Sequence, residues 1–195
     1  MAAAVQYRNS LRALAAMFYL SQAPMTTLAN LNQLSRDEFV RLVGPVFEHS
    51  PWVAQRAWKR RPFASVEELF QALADAIRRA GVDEQLALIR AHPEIAGKEA
   101  SGGRPAADST GELGRLGFLS LDRSHVERMA ELNRRYRQRF GFPCVVALKL
   151  HAGRASVMAD MQRRLGNTVQ AEMATALEQI GHIARSRLDK IVEEK

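Results

Sequence analysis

The chain has 195 residues, 47% of them hydrophobic and 25% charged, enough for one domain with a sizeable core. A single cysteine, Cys144, excludes an internal disulfide framework and any CxxC or Cys/His zinc cluster, and makes a reducing compartment the default. The net charge of +7 allows anionic partners, but the arginines are interleaved with acids; the densest run, RRYRQR at 134–139, reads as a solvated helix face, with RNA or DNA binding as the lesser alternative.

Residues 1–36 contain no acid. Within them RNSLRALAAMFYLSQAP joins arginines to an apolar run too short and mixed for a membrane span. It reads as a helix packed on the domain or as sequence ahead of a later start (Met17 or Met25), with a presequence as the alternative. Residues 1–27 are set apart as an N-terminal arm and 28–195 as one domain. Ser35 and Glu38 form a capping box opening RDEFVRLVGPVF. Ser50-Pro51 reads as an N-cap with a first-turn proline, opening PWVAQRAWKR, in which Trp52 and Trp58 read as core or dimer packing. Ser65 and Glu68 make a second box, behind which Val66, Leu69, Phe70, Leu73, Ala76 and Ile77 form one apolar stripe.

Asp83 is placed to cap the next helix, in which Leu86, Leu88 and Ile89 lead to His92. Pro93 blocks regular continuation and pushes the residue before it out of the α region, so His92 is expected at a helix end. That position suits a catalytic imidazole and equally a surface histidine. GKEASGGRPAADSTG then reads as a loop, long for a compact domain, with Ser109 capping a short helix over TGELGRLGFL. SHVERMAELNRRYRQRF is a helix with Val126, Met129, Leu132, Tyr136 and Phe140 on one side, ended by Gly141. CVVALKL at 144–150 is the one β-like run, compatible with buried helix or extended chain. RASVMADMQRRL ends at Gly166-Asn167. Thr168 then caps a long helix with Val169, Met173, Leu177, Ile180, Ile183, Ala184, Leu188 and Ile191 at helical spacing. The expectation is a single all-α domain, a compact bundle of eight or nine helices.

Five histidines are present, but no HExxH, no i,i+4 histidine pair, no GxGxxG, no P-loop and no GxSxG, so metal and nucleotide signatures are absent. What remains is His92, a loop, and a helix start at Ser109, where free N–H groups favour anions. Glu112 on that first turn could raise the imidazole pKa and set its tautomer. Such a group could handle an anionic substrate without a cofactor.

Four ordered segments, LNQLSRDEFVRLVGPVFEHSPWVAQRAW, RPFAS, LALIRAHPEIAGK and NRRYRQRFGFPCVVALKL, resemble the OHCU decarboxylase family, OHCU being 2-oxo-4-hydroxy-4-carboxy-5-ureidoimidazoline. The resemblance runs from about Leu28 to the C-terminus and implies an all-α fold, no metal or organic cofactor, and commonly a homodimer; with the reducing compartment read from Cys144, the expected location is cytoplasmic. It implies the last step of urate breakdown: loss of the OHCU carboxylate and one-sided protonation to (S)-allantoin. The family's histidine before a proline falls on His92 and Pro93. Ser109 and Glu112 match its serine and glutamate, whereas Leu113 stands where a glutamine is usual, removing an amide that could donate and accept hydrogen bonds. The backbone contacts that follow FGFP in the family map to Cys144, Val145, Val146, Ala147 and Leu148, with Cys144 in place of a common phenylalanine. The family's late arginine maps to Arg187, with Arg185 or Arg154 as alternatives. Leu113 and Cys144 leave two other readings open: an enzyme of this type acting on a different ureido or carboxylated heterocycle, and a non-catalytic helical binding protein.

Overall fold

The computed structural model describes residues 25–95, 114–116, 118 and 123–195. Among them the chain is mainly α-helical, with eight helices: α1 Leu28–Gln33, α2 Arg36–Val43, α3 Trp52–Trp58, α4 Val66–Arg78, α5 Val82–Arg90, α6 Arg123–Phe140, α7 Arg154–Arg164 and α8 Val169–Leu188. The one sheet among the described residues is a parallel pair, β1 (Thr26–Thr27) beside β2 (Val192–Glu193). The fold divides into two compact units, one built from the chain up to Leu88 with Ile183–Lys195, the other from Ile89–His182. None of the described helices is long and apolar enough to cross a membrane.

In the first unit the caps decide where helices start. The Thr27 hydroxyl accepts the Asn30 N–H at 3.2 Å and opens α1. The α2 box forms in full: Ser35 Oγ accepts the Glu38 N–H, and Glu38 Oε2 accepts the Ser35 N–H at 2.9 Å. Hydrogen bonds from the Ser35 hydroxyl and then its N–H hold the Glu38 carboxyl below the usual carboxylate range. The other expected starts differ in detail. Pro51, not Ser50, takes the cap position of α3, and Ser50 is buried just before it. Ser65 caps α4, but Glu68 Oε2 reaches the Ala64 N–H at 2.7 Å, so the box is only half formed. For α5 it is Glu84, not Asp83, that turns back to a main-chain donor, the Gly81 N–H at 3.4 Å.

The α4 stripe is buried as its spacing predicts, except Phe70, which lies half-buried under the Arg185 guanidinium. Trp52 and Trp58 are also half-buried rather than core residues, each covered by an arginine, Arg56 at 4.6 Å and Arg61 at 4.3 Å from the ring centroid.

The closing segment adds one short strand pair to an otherwise helical chain. Helix α8 stops at Leu188, short of Ile191. Ile191 is fully buried and its N–H bonds back to the Leu188 carbonyl, so the chain turns there. Its own carbonyl accepts the Thr26 N–H at 2.9 Å, which sets Thr26 beside Val192 and Thr27 beside Glu193. Glu194 Oε1 then accepts the Val66 N–H at 2.9 Å, capping α4 from the far end of the sequence.

In the second unit α6 ends on Gly141, whose φ of +75° suits a residue without Cβ. Met129, Leu132, Tyr136 and Phe140 are buried as expected, joined by Asn133, while Val126 is 48% exposed and drops out of the stripe. Cys144–Ala147 is buried, non-helical and unpaired in any sheet, and it runs into a 3₁₀ turn at Leu148–Leu150. The ambiguous apolar run is therefore neither strand nor α-helix.

Candidate active site

His92 lies two residues past the end of α5 and is 7% exposed, which removes the reading of a simple surface histidine. Its N–H closes the helix end on the Ile89 carbonyl at 3.2 Å. Three contacts clamp the turn it occupies to the second half of α6. Before the histidine, Arg90 Nε donates to the Gly141 carbonyl at 3.2 Å. After it, Arg137 donates to Glu94 Oε1 at 3.0 and 2.7 Å, and Asn133 Nδ2 donates to the Ile95 carbonyl at 2.9 Å. Pro93, between these anchors, is exposed. Asn133 Oδ1 is buried and has no partner among the described residues.

The same end of α6 leads through Gly141 into Cys144–Leu148, all buried. Two side chains hold this run. Arg164 Nη1 donates to the Val145 carbonyl at 2.8 Å, and Gln179 Oε1 accepts the Ala147 N–H at 2.9 Å. Arg164 is fully buried. Its guanidinium gives two hydrogen bonds to Glu172 Oε1, at 3.0 and 2.5 Å, and one to the Tyr136 hydroxyl at 3.3 Å. Tyr136 donates in turn to Glu172 Oε1, and Asn167 Nδ2 donates to Oε2 at 2.8 Å. Burial pushes the Glu172 carboxyl up, to about 8, while the guanidinium and these donors favour its charged form. Burial likewise pushes the Cys144 thiol up to about 12, opposed by the charge of Arg164, so the thiol is no nucleophile.

Just past Leu113, Arg115 donates to the carbonyls of Leu148 and His151 at 3.0 and 3.1 Å, and the Leu116 carbonyl accepts the Arg154 N–H at 3.1 Å. Ser109, Glu112 and Leu113 themselves lie outside the described residues. Arg187 belongs to the first unit and is 9% exposed. Its Nη2 meets Glu48 Oε1 at 2.6 Å and its Nη1 the Val46 carbonyl at 3.1 Å. Arg185 is more exposed, pairing with Glu67 and Asp189, and Arg154 begins α7 half-buried. Thus His92, Pro93 and Cys144–Leu148 share one unit, and Arg187 sits in the other with a carboxylate already against it. Among the described residues no group of three His, Cys, Asp or Glu side chains could hold a metal ion.

Sequence reasoning missed Arg164, Glu172, Gln179, Asn133 and Glu48. A signal existed for two of them. Arg164 continues the buried Val157–Met161 spacing, and Glu172 begins the buried Ala176–Ile180 spacing, so a charged residue on each apolar face faced the other.

Fold and turn together define a mainly α-helical protein whose candidate site is one buried histidine and a buried main-chain segment in the same compact unit. The sequence profile of the OHCU decarboxylase family matches residues 32–189, and the chain belongs to that family, a family of carboxy-lyases. It is 41% identical over 163 residues to the 2-oxo-4-hydroxy-4-carboxy-5-ureidoimidazoline decarboxylase of Haloferax volcanii, covering 83% of this chain and 94% of that one. Its fold is similar to a crystal structure of (S)-allantoin synthase, with a TM-score of 0.66, 26% identity and 85% of this chain covered; it spans 54% of that longer chain. A structure of OHCU decarboxylase in the presence of (S)-allantoin shares the fold with a TM-score of 0.60 at 21% identity, covering 79% of this chain and 96% of that one.

Proposed function

We propose that this protein decarboxylates OHCU to (S)-allantoin, with His92 as the catalytic group. The observation that carries the residue assignment is the clamped turn: a buried imidazole between a proline and a helix end, fixed from both sides. Loss of CO₂ breaks the ring carbon–carboxylate bond and leaves an electron pair that the ring carbonyl and adjacent nitrogens delocalise. The protein must hold the breaking bond perpendicular to the conjugated ring and stabilise charge growing on oxygen. Main-chain groups of residues 144–148 and Arg187 supply that stabilisation in this reading. His92 assists cleavage through the substrate hydroxyl and then helps deliver the proton to one face. Glu112 orients His92 or holds substrate N–H groups, and Pro93, Ser109 and Leu113 line the pocket. Leu113 offers no hydrogen bond there, so substrate recognition falls more heavily on the main chain. No cofactor takes part. The reading extends to a single all-α domain over 28–195 that works as a cytoplasmic homodimer, without nucleic-acid or membrane partners; light scattering at twice the chain mass tests the dimer.

The deciding experiment generates OHCU from urate with uricase and hydroxyisourate hydrolase and follows optically active allantoin with and without the protein. Fast appearance of the (S) enantiomer supports the assignment. Decay at the spontaneous rate to racemic product refutes it and favours a different heterocycle. His92→Ala should lose activity by about 10²–10⁴-fold with its helical circular dichroism intact; an unchanged rate would remove His92 from the mechanism.

A further inference from the structure

Main-chain groups after Phe142-Pro143 can act on a substrate only if something aims them. A trans peptide is planar, and its C=O and N–H point in opposite directions. Holding one of the pair therefore aims the other. The Val145 carbonyl is held by Arg164 Nη1 at 2.8 Å, which turns the Val146 N–H of the same peptide away from Arg164. The Ala147 N–H is held by Gln179 Oε1 at 2.9 Å, which turns the Val146 carbonyl of that peptide away from Gln179. Both peptides flanking Val146 are thus fixed by side chains from other helices. The Val146 N–H and C=O have no hydrogen-bond partner among the described residues, although Val146 is only 5% exposed. A buried donor and acceptor on one residue carry a desolvation cost unless something pairs with them.

We infer that Arg164 and Gln179 are positioning residues for the decarboxylation: by fixing the two peptides that flank Val146 they aim its main-chain N–H and C=O at the substrate. This rests on the reading of residues 144–148 as part of the site. The chemistry fits: a cyclic ureide presents N–H and C=O groups, which main-chain groups can meet. This also supplies a recognition element where Leu113 cannot. Arg164 is suited to a fixed role because it is itself held by Glu172 and Tyr136 and is fully buried. Gln179 is only half-buried, so its side chain can be changed without opening the core.

Three variants of the full-length chain test this in the coupled assay: Gln179→Leu, Gln179→Glu and His92→Ala. Gln179→Leu keeps the size of the side chain and loses the acceptor. It should lower kcat about 10- to 100-fold, as small misplacements of catalytic groups do, with melting temperature little changed. Gln179→Glu keeps the acceptor and should recover most of kcat. A purely structural role would instead lower the melting temperature and leave kcat of the folded protein unchanged. As a direct reading, (S)-allantoin added to ¹⁵N-labelled protein should shift the Val146 amide resonance, and this shift should shrink in Gln179→Leu. If Gln179→Leu keeps full kcat and the Val146 shift while His92→Ala is inactive, the positioning inference fails and the site reading stands. If His92→Ala keeps its activity, and the Val146 resonance ignores (S)-allantoin, the site reading itself fails.

Discussion

Glu172→Leu isolates a fully buried ion pair of the second unit. Glu172 and Arg164 are both 0% exposed at the side chain, with a closest approach of 2.5 Å. The substitution removes the acceptor of two guanidinium hydrogen bonds, of the Tyr136 hydroxyl and of the Asn167 amide. Arg164 would keep the Val145 carbonyl and a longer ion pair, 3.5 Å, to Asp160, a carboxylate that is shared with Arg163 and compensates the buried guanidinium only in part. Stranding one charge of a buried pair costs about 3–5 kcal/mol. For a chain of this length each kcal/mol lowers Tm by roughly 2–4 °C, so Tm should fall by about 6–20 °C. Thermal unfolding followed by far-ultraviolet circular dichroism measures this. Arg164→Met combined with Glu172→Leu removes both charges and should be less destabilised than Glu172→Leu alone. A single variant within about 3 °C of wild type, or a double variant worse than the sum of its parts, would refute the reasoning.

Other outcomes can be checked independently. Cys144 should resist a thiol reagent at pH 8 in the native protein and react at once on unfolding, because the thiol is 2% exposed and burial pushes it up to about 12. The folded thiol keeps its proton where the unfolded one ionises, so its contribution to stability should be lost as pH rises from 9 towards 12. Ser35→Ala should cost about 1 kcal/mol by removing the hydroxyl that caps α2, read as a Tm lower by roughly 2–4 °C. Glu48→Gln should leave the Arg187 guanidinium buried without its counter-charge and destabilise by about 3 kcal/mol in urea titration; a neutral result would mean that Arg187 draws its compensation from elsewhere. Ending the chain after Ile191 removes β2 and the Glu194 cap of α4, at about 1–3 kcal/mol.

What could be read from the sequence follows the range of the forces involved. Helix starts at Ser35, Ser65 and Thr168 depend on groups three residues apart, and these were legible. So was the stop at Gly141, a backbone requirement of one residue. Pro93 placed His92 at a helix end, and the structure adds its burial, which comes from packing. The misreadings beyond the details of single caps involve distant partners. Periodicity carried α8 on to Ile191 because Ile191 is indeed buried, but it is buried by a turn that pairs the tail with Thr26. Val126 and Val169 fit their stripes and are about half exposed, whereas Asn133 and Glu172 are polar and yet lie inside, on the buried spacings of Met129–Tyr136 and Ala176–Ile180. A carboxylate is tolerated in the core only because an arginine eight residues earlier folds onto it, and hydropathy does not encode that pairing. The resemblance pointed to His92 and residues 144–148 as site residues, and it carried no sign that Arg164 and Gln179 hold the latter in place.

The pairing of Thr26–Thr27 with Val192–Glu193 makes the described chain nearly a ring, joined at a two-residue seam. Closing that ring joins segments near opposite ends of the described chain, and its entropic cost is met by few hydrogen bonds. The seam should therefore form late in folding and open first, with the N–H of Thr26 exchanging with solvent faster than the core of α4. A short covalent splice across it would turn this two-residue junction into a permanent one, and the protein could then be cut open elsewhere to give a permuted chain of the same fold.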